Sequence, residues 1–412
     1  MKRIVSMLLS LGLAFAFVLS GCAVDPVGNT TDANTTEGTH NGNYGLDLSD
    51  TDGWAVVANS ALYGTVVDDG YYYQTENGFL AYLDMNVGTS VILCSKVACE
   101  HRDETCEAFL PDAATRKLMF YWNDDLYYIE SDADGASLLL RRDSAGMAKE
   151  KVARLGESLM GTDRQVFVAD IVMAGGWLYY HVEIFVVSKT ADGGIVSVID
   201  NSYLCRINLK SGKDMVLVEY TGGNLKLVTA RADAMIYVEY DAPDVDIQFD
   251  DTGLPVYPDG YYEALANSPA NLMRWDEATG QSTLLLERTN GTLYAPKSYG
   301  GKVVFVDDDN ERRYAYDIKT GEVVELDMIN GSIINETYMI HAESGVQTLK
   351  NMETGKEYPI ELAGMVIRLY NRSDKWLILT LIKNDGTRES YYIPMSAIGD
   401  GIQKTELVSF PS

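Results

Sequence analysis

From Trp54 to the C-terminus, short apolar runs alternate with Gly, Asp and Asn, and segments of helical period are few. That rhythm predicts strands separated by turns. One hairpin grammar recurs. Leu272-Met-Arg-Trp-Asp-Glu-Ala-Thr-Gly280 reads as a strand running into a polar turn, and an apolar strand follows to Leu286. Copies begin at Leu204, Tyr314 and, weakened, Leu349, with turn glycines Gly212, Gly321 and Gly355. In each copy Ser or Thr precedes the Gly, and Asn or Asp stands four residues before it. Such residues bond to the turn backbone, and Gly tolerates the positive φ that closes it.

A second signal is a strand dense in aromatics that follows a polar turn. Its copies are 69–73, 124–129, 176–181, 234–240, 301–305, 336–341 and 374–379. Each is followed by a second strand, and most by a third. Recurrence at about 50 residues is the spacing of propeller blades. The fold class is therefore all-β, a β-propeller of about seven four-stranded blades over residues 51–412, with six or eight compatible with the same period. One four-stranded sheet cannot bury both faces, so neighbours must pack face to face, with aromatic strands in the layers between. Gly280 and Gly321 are 41 residues apart, whereas Gly212 and Gly280 are 68 apart. The excess predicts an insertion at about 241–270 with a short helix near Tyr261–Ala266. A long loop on a rigid scaffold is a usual place for binding residues, and a tolerated decoration reads equally well.

The N-terminus changes the picture of location. Met1-Lys-Arg is followed by an uncharged apolar run from Ile4 to Ser20, and the run ends in Leu19-Ser-Gly-Cys22. This resembles the lipobox of bacterial lipoproteins. The resemblance implies a signal peptide over 1–21, lipidation at Cys22 and membrane attachment outside the cytoplasm, at the cell surface or in the periplasm. An uncleaved anchor is the rival, since roughly 17 apolar residues sit at the lower limit for spanning. Residues 22–50 are polar, have little to bury and read as a flexible tether. Together with the repeated Tyr-Tyr strands and the Thr-Gly turns, the chain resembles secreted bacterial β-propeller lipoproteins of the TolB-like or uncharacterised propeller kind. That group implies fold and surface location and no settled activity.

Charge and chemistry narrow the function. The net charge of −27 argues against nucleic acid as a partner. The strongest local anomaly is Cys94, Cys99, His101 and Cys106 within 13 residues. Three thiols and an imidazole match a structural zinc site in ligand type, while an extracytoplasmic address favours a disulfide. Both readings stand, and both staple a loop rather than catalyse. Cys205 reads as a buried strand residue. Glu130-Ser-Asp-Ala-Asp-Gly135 imitates the start of a calcium loop but lies between two strands and reads as a turn, as does Asp307–Asn310. Asp244, Asp246, Asp250 and Asp251 in the insertion read as a solvated acidic loop. His181 and His341 end aromatic strands of different blades and either pack there or meet near the channel.

No Gly-x-Ser-x-Gly elbow, Walker loop or His-Glu-x-x-His is present. No catalytic residue is assigned. The leading expectation is a membrane-anchored binding module for a protein, peptide or glycan, with no cofactor beyond the candidate zinc. The alternative is a secreted hydrolase or lyase using carboxylates at the channel mouth. Acids of perturbed pKa at one end of the channel would favour that alternative.

Overall fold

The computed structural model describes residues between Gly53 and Phe410 apart from short internal stretches, of which 111–117 is the longest. Seven four-stranded antiparallel sheets succeed one another along the chain, forming a seven-bladed propeller, and Ile402–Gln403 adds a short parallel strand to the sixth. Blade 3 is the tallest, with strands Arg164–Ala174, Trp177–Lys189, Ile195–Asn208 and Asp214–Tyr220. Blade 4 comprises Gly223–Arg231, Ala234–Asp241, Pro269–Asp276 and Gln281–Thr289.

Every aromatic strand anticipated from the sequence is the second strand of a blade, because a further strand precedes it. The Cys-rich segment, which counting from the aromatic strand would place after a third strand, therefore follows the fourth strand of blade 1, Thr89–Ile92. The preceding strand, Gly64–Val67, is only four residues long and carries no aromatic, which is why the repeat did not reveal it.

Apolar layers fill the seams between blades, as the packing argument requires. Tyr127, Leu139, Ile171, Tyr180 and Ile184 occupy the seam between blades 2 and 3. Among the described residues no strand is exchanged between the chain ends to close the ring. Instead Trp376, Ile378 and Tyr392 of blade 7 pack on Tyr71, Tyr73 and Leu83 of blade 1. Cys205 is buried in the seam between blades 2 and 3 and carries no disulfide.

The repeated turn has the expected mechanism. Asn208 Oδ1 accepts from the N–H groups of Lys210 and Ser211, and Asp317 Oδ1 from those of Lys319 and Thr320. Gly212, Gly280, Gly321 and Gly355 all hold φ between 63° and 74°. Asp84–Gly88 is a further copy, with Asp84 Oδ1 accepting from Asn86 and Val87. Val87 replaces the usual Ser or Thr there, so the motif does not show it. The Glu130–Gly135 segment is a turn, in which Asp132 Oδ1 accepts from the N–H groups of Asp134 and Ala136.

Antiparallel order assigns the connections to faces. Turns joining first to second and third to fourth strands lie on one end of the ring, the turn face. Connections from second to third strands, and from one blade to the next, lie on the other end, the loop face. The Cys-rich segment (residues 93–110) and the insertion of blade 4 both belong to the loop face. The insertion carries a small hairpin, Gln248–Phe249 with Pro255–Val256, and a helix Tyr261–Asn267, one residue longer than anticipated. Asp244 is exposed in it, while Asp246, Asp250 and Asp251 lie outside the described residues.

First strands of neighbouring blades approach one another, so they line the central channel. Two short N-terminal strands add to that inner edge. Ala55–Val56 pairs with the first strand of blade 4, and Ala58–Asn59 with the first strand of blade 3. Trp54 fixes this segment by packing between blades 4 and 5, with the Arg231 guanidinium 5.1 Å from its ring. Among the described residues no helix is long and apolar enough to cross a membrane. Residues 1–52, including the signal segment, Cys22 and the tether, lie outside them.

Candidate functional site

The Cys-rich loop is pinned to its blades before any metal is considered. Its end runs back beside the third strand of blade 1, where the Leu80 N–H donates to Ala108 O and the Leu110 N–H to Gly78 O, each at 2.8 Å. Phe79 and Phe109 pack edge to face, and Cys106, Ala108 and Leu110 enter the apolar seam between blades 1 and 2. Arg142, from the third strand of blade 2 and fully buried, reaches across that seam. Its guanidinium donates to Leu93 O at 3.3 Å, to Glu107 O and to the Tyr128 hydroxyl at 3.2 Å. A blade 2 cation thus ties both ends of a loop that leaves blade 1.

Within that frame the side chains of Cys94, Cys99, His101 and Cys106 converge. Their ligand atoms all lie within 4.8 Å of one another, and His101 Nδ1 is 3.3 Å from Cys106 Sγ. Ala98 and His101 hold positive φ, at 60° and 52°, an uncommon conformation for residues with a Cβ. Lys96 Nζ donates to Thr105 O and the Ser95 hydroxyl to Glu107, closing the two halves of the loop on each other. None of the four described cysteines is in a disulfide.

The thiols are electrostatically unequal. Burial resists ionisation of Cys94, yet hydrogen bonds from the Lys96 and Glu107 backbones and from the neighbouring thiols hold it below the ordinary thiol value. Burial pushes Cys106 up to about 11. Zinc–sulfur bonds of about 2.3 Å place sulfurs of a tetrahedral site roughly 3.8 Å apart, so this spread needs only slight contraction. The Cys3His set could hold a metal ion.

A second polar cluster lies in the seam between blades 3 and 4, about midway along the strands, and the sequence reading did not single it out as a group. Asp170 comes from the first strand of blade 3, His181 and Glu183 from its second, and Asn224 and Lys226 from the first strand of blade 4. Asp170 Oδ2 stands 3.9 Å from both His181 Nδ1 and Lys226 Nζ. Asn224 donates to Glu183 Oε1 at 3.2 Å and accepts from the Ser202 hydroxyl at 2.8 Å. Both ring nitrogens of His181 and Glu183 Oε2 are buried without a hydrogen-bond partner.

Burial governs the protonation of this group. It raises Asp170 above the usual carboxylate range against the pull of Lys226, lifts Glu183 to about 7 and lowers His181 to about 3. His181 does not pack as a satisfied core residue, since both its ring nitrogens lack a partner. His341 lies on the second strand of blade 6, three blades round the ring, and its side chain is outside the described residues. One sequence signal could have flagged the cluster: Asp170 interrupts the apolar run Val166–Met173.

No family model matches the chain, and no curated protein matches it. Solved structures do. A puromycin-hydrolyzing peptidase from Mycobacterium tuberculosis aligns with 85% of this chain at 10% identity and a TM-score of 0.50, and the match spans 54% of that protein. A TolB structure from Acinetobacter baumannii aligns over 81% of this chain and 80% of its own, at 14% identity and a TM-score of 0.33. An oligogalacturonate lyase from Vibrio parahaemolyticus aligns over 87% of this chain and 94% of its own, at 10% identity and a TM-score of 0.50. At such identities what the chain shares with the peptidase and the lyase is the fold alone.

Proposed function

We propose that this protein is a tethered, non-catalytic binding propeller whose loop face receives a protein, peptide or glycan. The observation that supports it most is the asymmetry of the ring. The repeated tight turns lie on one end, while the Cys-rich loop and the blade 4 insertion stand on the other, held by a rigid scaffold. In this reading Cys94, Cys99, His101 and Cys106 bind a zinc ion that keeps part of that face in shape, and lipidation at Cys22 attaches the chain to a membrane outside the cytoplasm.

A carboxylate-dependent hydrolase or lyase is the second reading. Its support is the pair of buried acids, Asp170 and Glu183, both raised above their ordinary values near the channel-lining strands.

The test replaces residues 243–267 by a short Gly-Ser turn and compares both chains on peptide and glycan arrays. The intact chain should capture a ligand that the trimmed chain loses, while Tm stays within a few degrees. Cleavage of the captured ligand would replace the binding reading by the catalytic one.

A further inference from the structure

The seam between blades 3 and 4 changes character along its length. Toward the turn face it is sealed by Val172, Ala174, Tyr179, Leu227 and Met235. Midway along the strands the same two blades bury Asp170, His181 and Glu183, with side chains only 10% exposed at Asp170 and 2% at His181. Leucine and valine would fill that level as they fill the one beside it. A buried polar atom without a partner costs about 1–3 kcal/mol, and three such atoms stand together here. Native proteins rarely keep such groups unless something satisfies them.

The chemistry of the cluster restricts what that could be. An ammonium, a carboxylate, an imidazole and a second carboxyl group lie in one place, so a strongly charged ligand of either sign would meet a like charge as well as an opposite one. A cation would compete with Lys226 for Asp170, whose Oδ2 is already 3.9 Å from Nζ. A hydroxyl group, by contrast, donates and accepts at once. It can donate to Glu183 Oε2 or to the unprotonated nitrogen of a neutral imidazole, and accept from that ring's N–H or from the ammonium. Lys226 is the most open of the four, with its side chain 35% exposed. It stands on a channel-lining strand, and Asp170 is itself the backbone partner of Asn59 in the short N-terminal strand. The way in is therefore from the central channel.

We infer that Asp170, His181, Glu183 and Lys226 form a binding site for a neutral, hydroxyl-rich ligand of the saccharide class, entered from the central channel beside Ala58–Asn59. The inference rests on the binding-module reading and narrows its ligand. Two pairs in register hold Ala58–Asn59 to blade 3, against ten between the first two strands of that blade, so this segment is the more easily displaced. Glu183 Oε2 and the imidazole take the ligand's hydroxyls, and Lys226 orients it from the channel side.

The test uses the full chain and a panel of neutral mono- and oligosaccharides, with glycerol and myo-inositol as the smallest polyols. The readouts are the imidazole NMR signals of the four histidines, His181 being assigned by its loss in His181→Gln, together with Tm. At least one compound should move the His181 signal in a saturable way and raise Tm. Glu183→Leu should weaken that binding by about 10-fold or more while leaving the unliganded Tm unchanged or higher. A panel that never moves the His181 signal overturns the inference, and this arm needs no folded Leu variant. A compound that binds Glu183→Leu as tightly as the unaltered chain also overturns it, by placing the ligand elsewhere. In that case the binding-module reading stands, because its own test concerns the insertion.

Discussion

The seam between blades 1 and 2 and the seam between blades 3 and 4 solve the burial of polar side chains differently. In the first, three thiols and an imidazole, all able to ligate one metal, converge, and Arg142 satisfies the carbonyls that approach from the loop ends. In the second, acid, imidazole and amine are mixed, the nearest charged pairs stand at 3.9 Å, and ring nitrogens remain unpartnered. Convergence of like ligands suits an ion that stays. Mixture with vacancies in hydrogen bonding suits a ligand that comes and goes. Both clusters also sit beside a latch. The blade 3–4 seam is tied by Arg206, whose guanidinium lies 4.1 Å from the Trp177 ring and 5.2 Å from that of Trp275 while bonding Glu277 at 2.7 Å.

The largest effect that would sharpen the contrast is metal removal. Purified without chelator, the chain should carry about one zinc, and its thiols should resist alkylation until chelation. Cys106→Ser should then cost about 3–5 kcal/mol in denaturant unfolding. Absence of metal, with a mass lower by two protons, would instead make the loop a disulfide staple and remove the difference in ligand kind. Next comes Arg142→Met, which leaves Leu93 O and Glu107 O without their cation and should cost about 2–4 kcal/mol. Zinc release on mild heating should quicken in that variant, because the loop ends lose their common anchor. Unchanged release kinetics would show that the metal ligands hold the loop unaided.

The smallest effect concerns pH and belongs to the other seam. Neutral His181, lowered to about 3 from 6.5, contributes stability present above pH 6.5 and lost as pH falls toward 3. Protonated Glu183, raised to about 7 from 4.5, contributes stability present below pH 4.5 and lost as pH rises through 7. Between pH 4.5 and 6.5 the two slopes oppose, and the profile of the unaltered chain should be shallow there. His181→Leu removes one side, so stability should fall by about 1 kcal/mol per pH unit as pH rises across that window, with Asp170 adding in the same sense. A flat profile in the variant would mean that Glu183 is already solvated and that the seam is open.

Some of this was legible in the linear chain. Blade count, the identity of the aromatic strands, the Asx-type turn, the insertion with its helix and the four donors of the Cys loop all depend on spacing within about 50 residues. Local hydrogen bonding and two-residue alternation write such features directly into sequence. Arg142 was not legible. Its partners are 35 and 49 residues away, and an arginine among leucines near the end of a strand looks like a solvated edge. Asp84–Gly88 escaped for the opposite reason, since the backbone geometry survives the loss of the Ser or Thr that advertises it.

The sequence by itself determined that the chain is a ring of antiparallel sheets, because period and turn chemistry act over a few residues and leave few architectures that bury both faces of each sheet. Only the tertiary structure decided which strand lines the channel, that Ala55–Val56 and Ala58–Asn59 add to its inner edge, and that Asp170, His181, Glu183 and Lys226 share one seam. Those residues span 57 positions and two blades, and no local rule relates them. Their proximity follows from face-to-face packing, which is fixed by the whole ring closing at once.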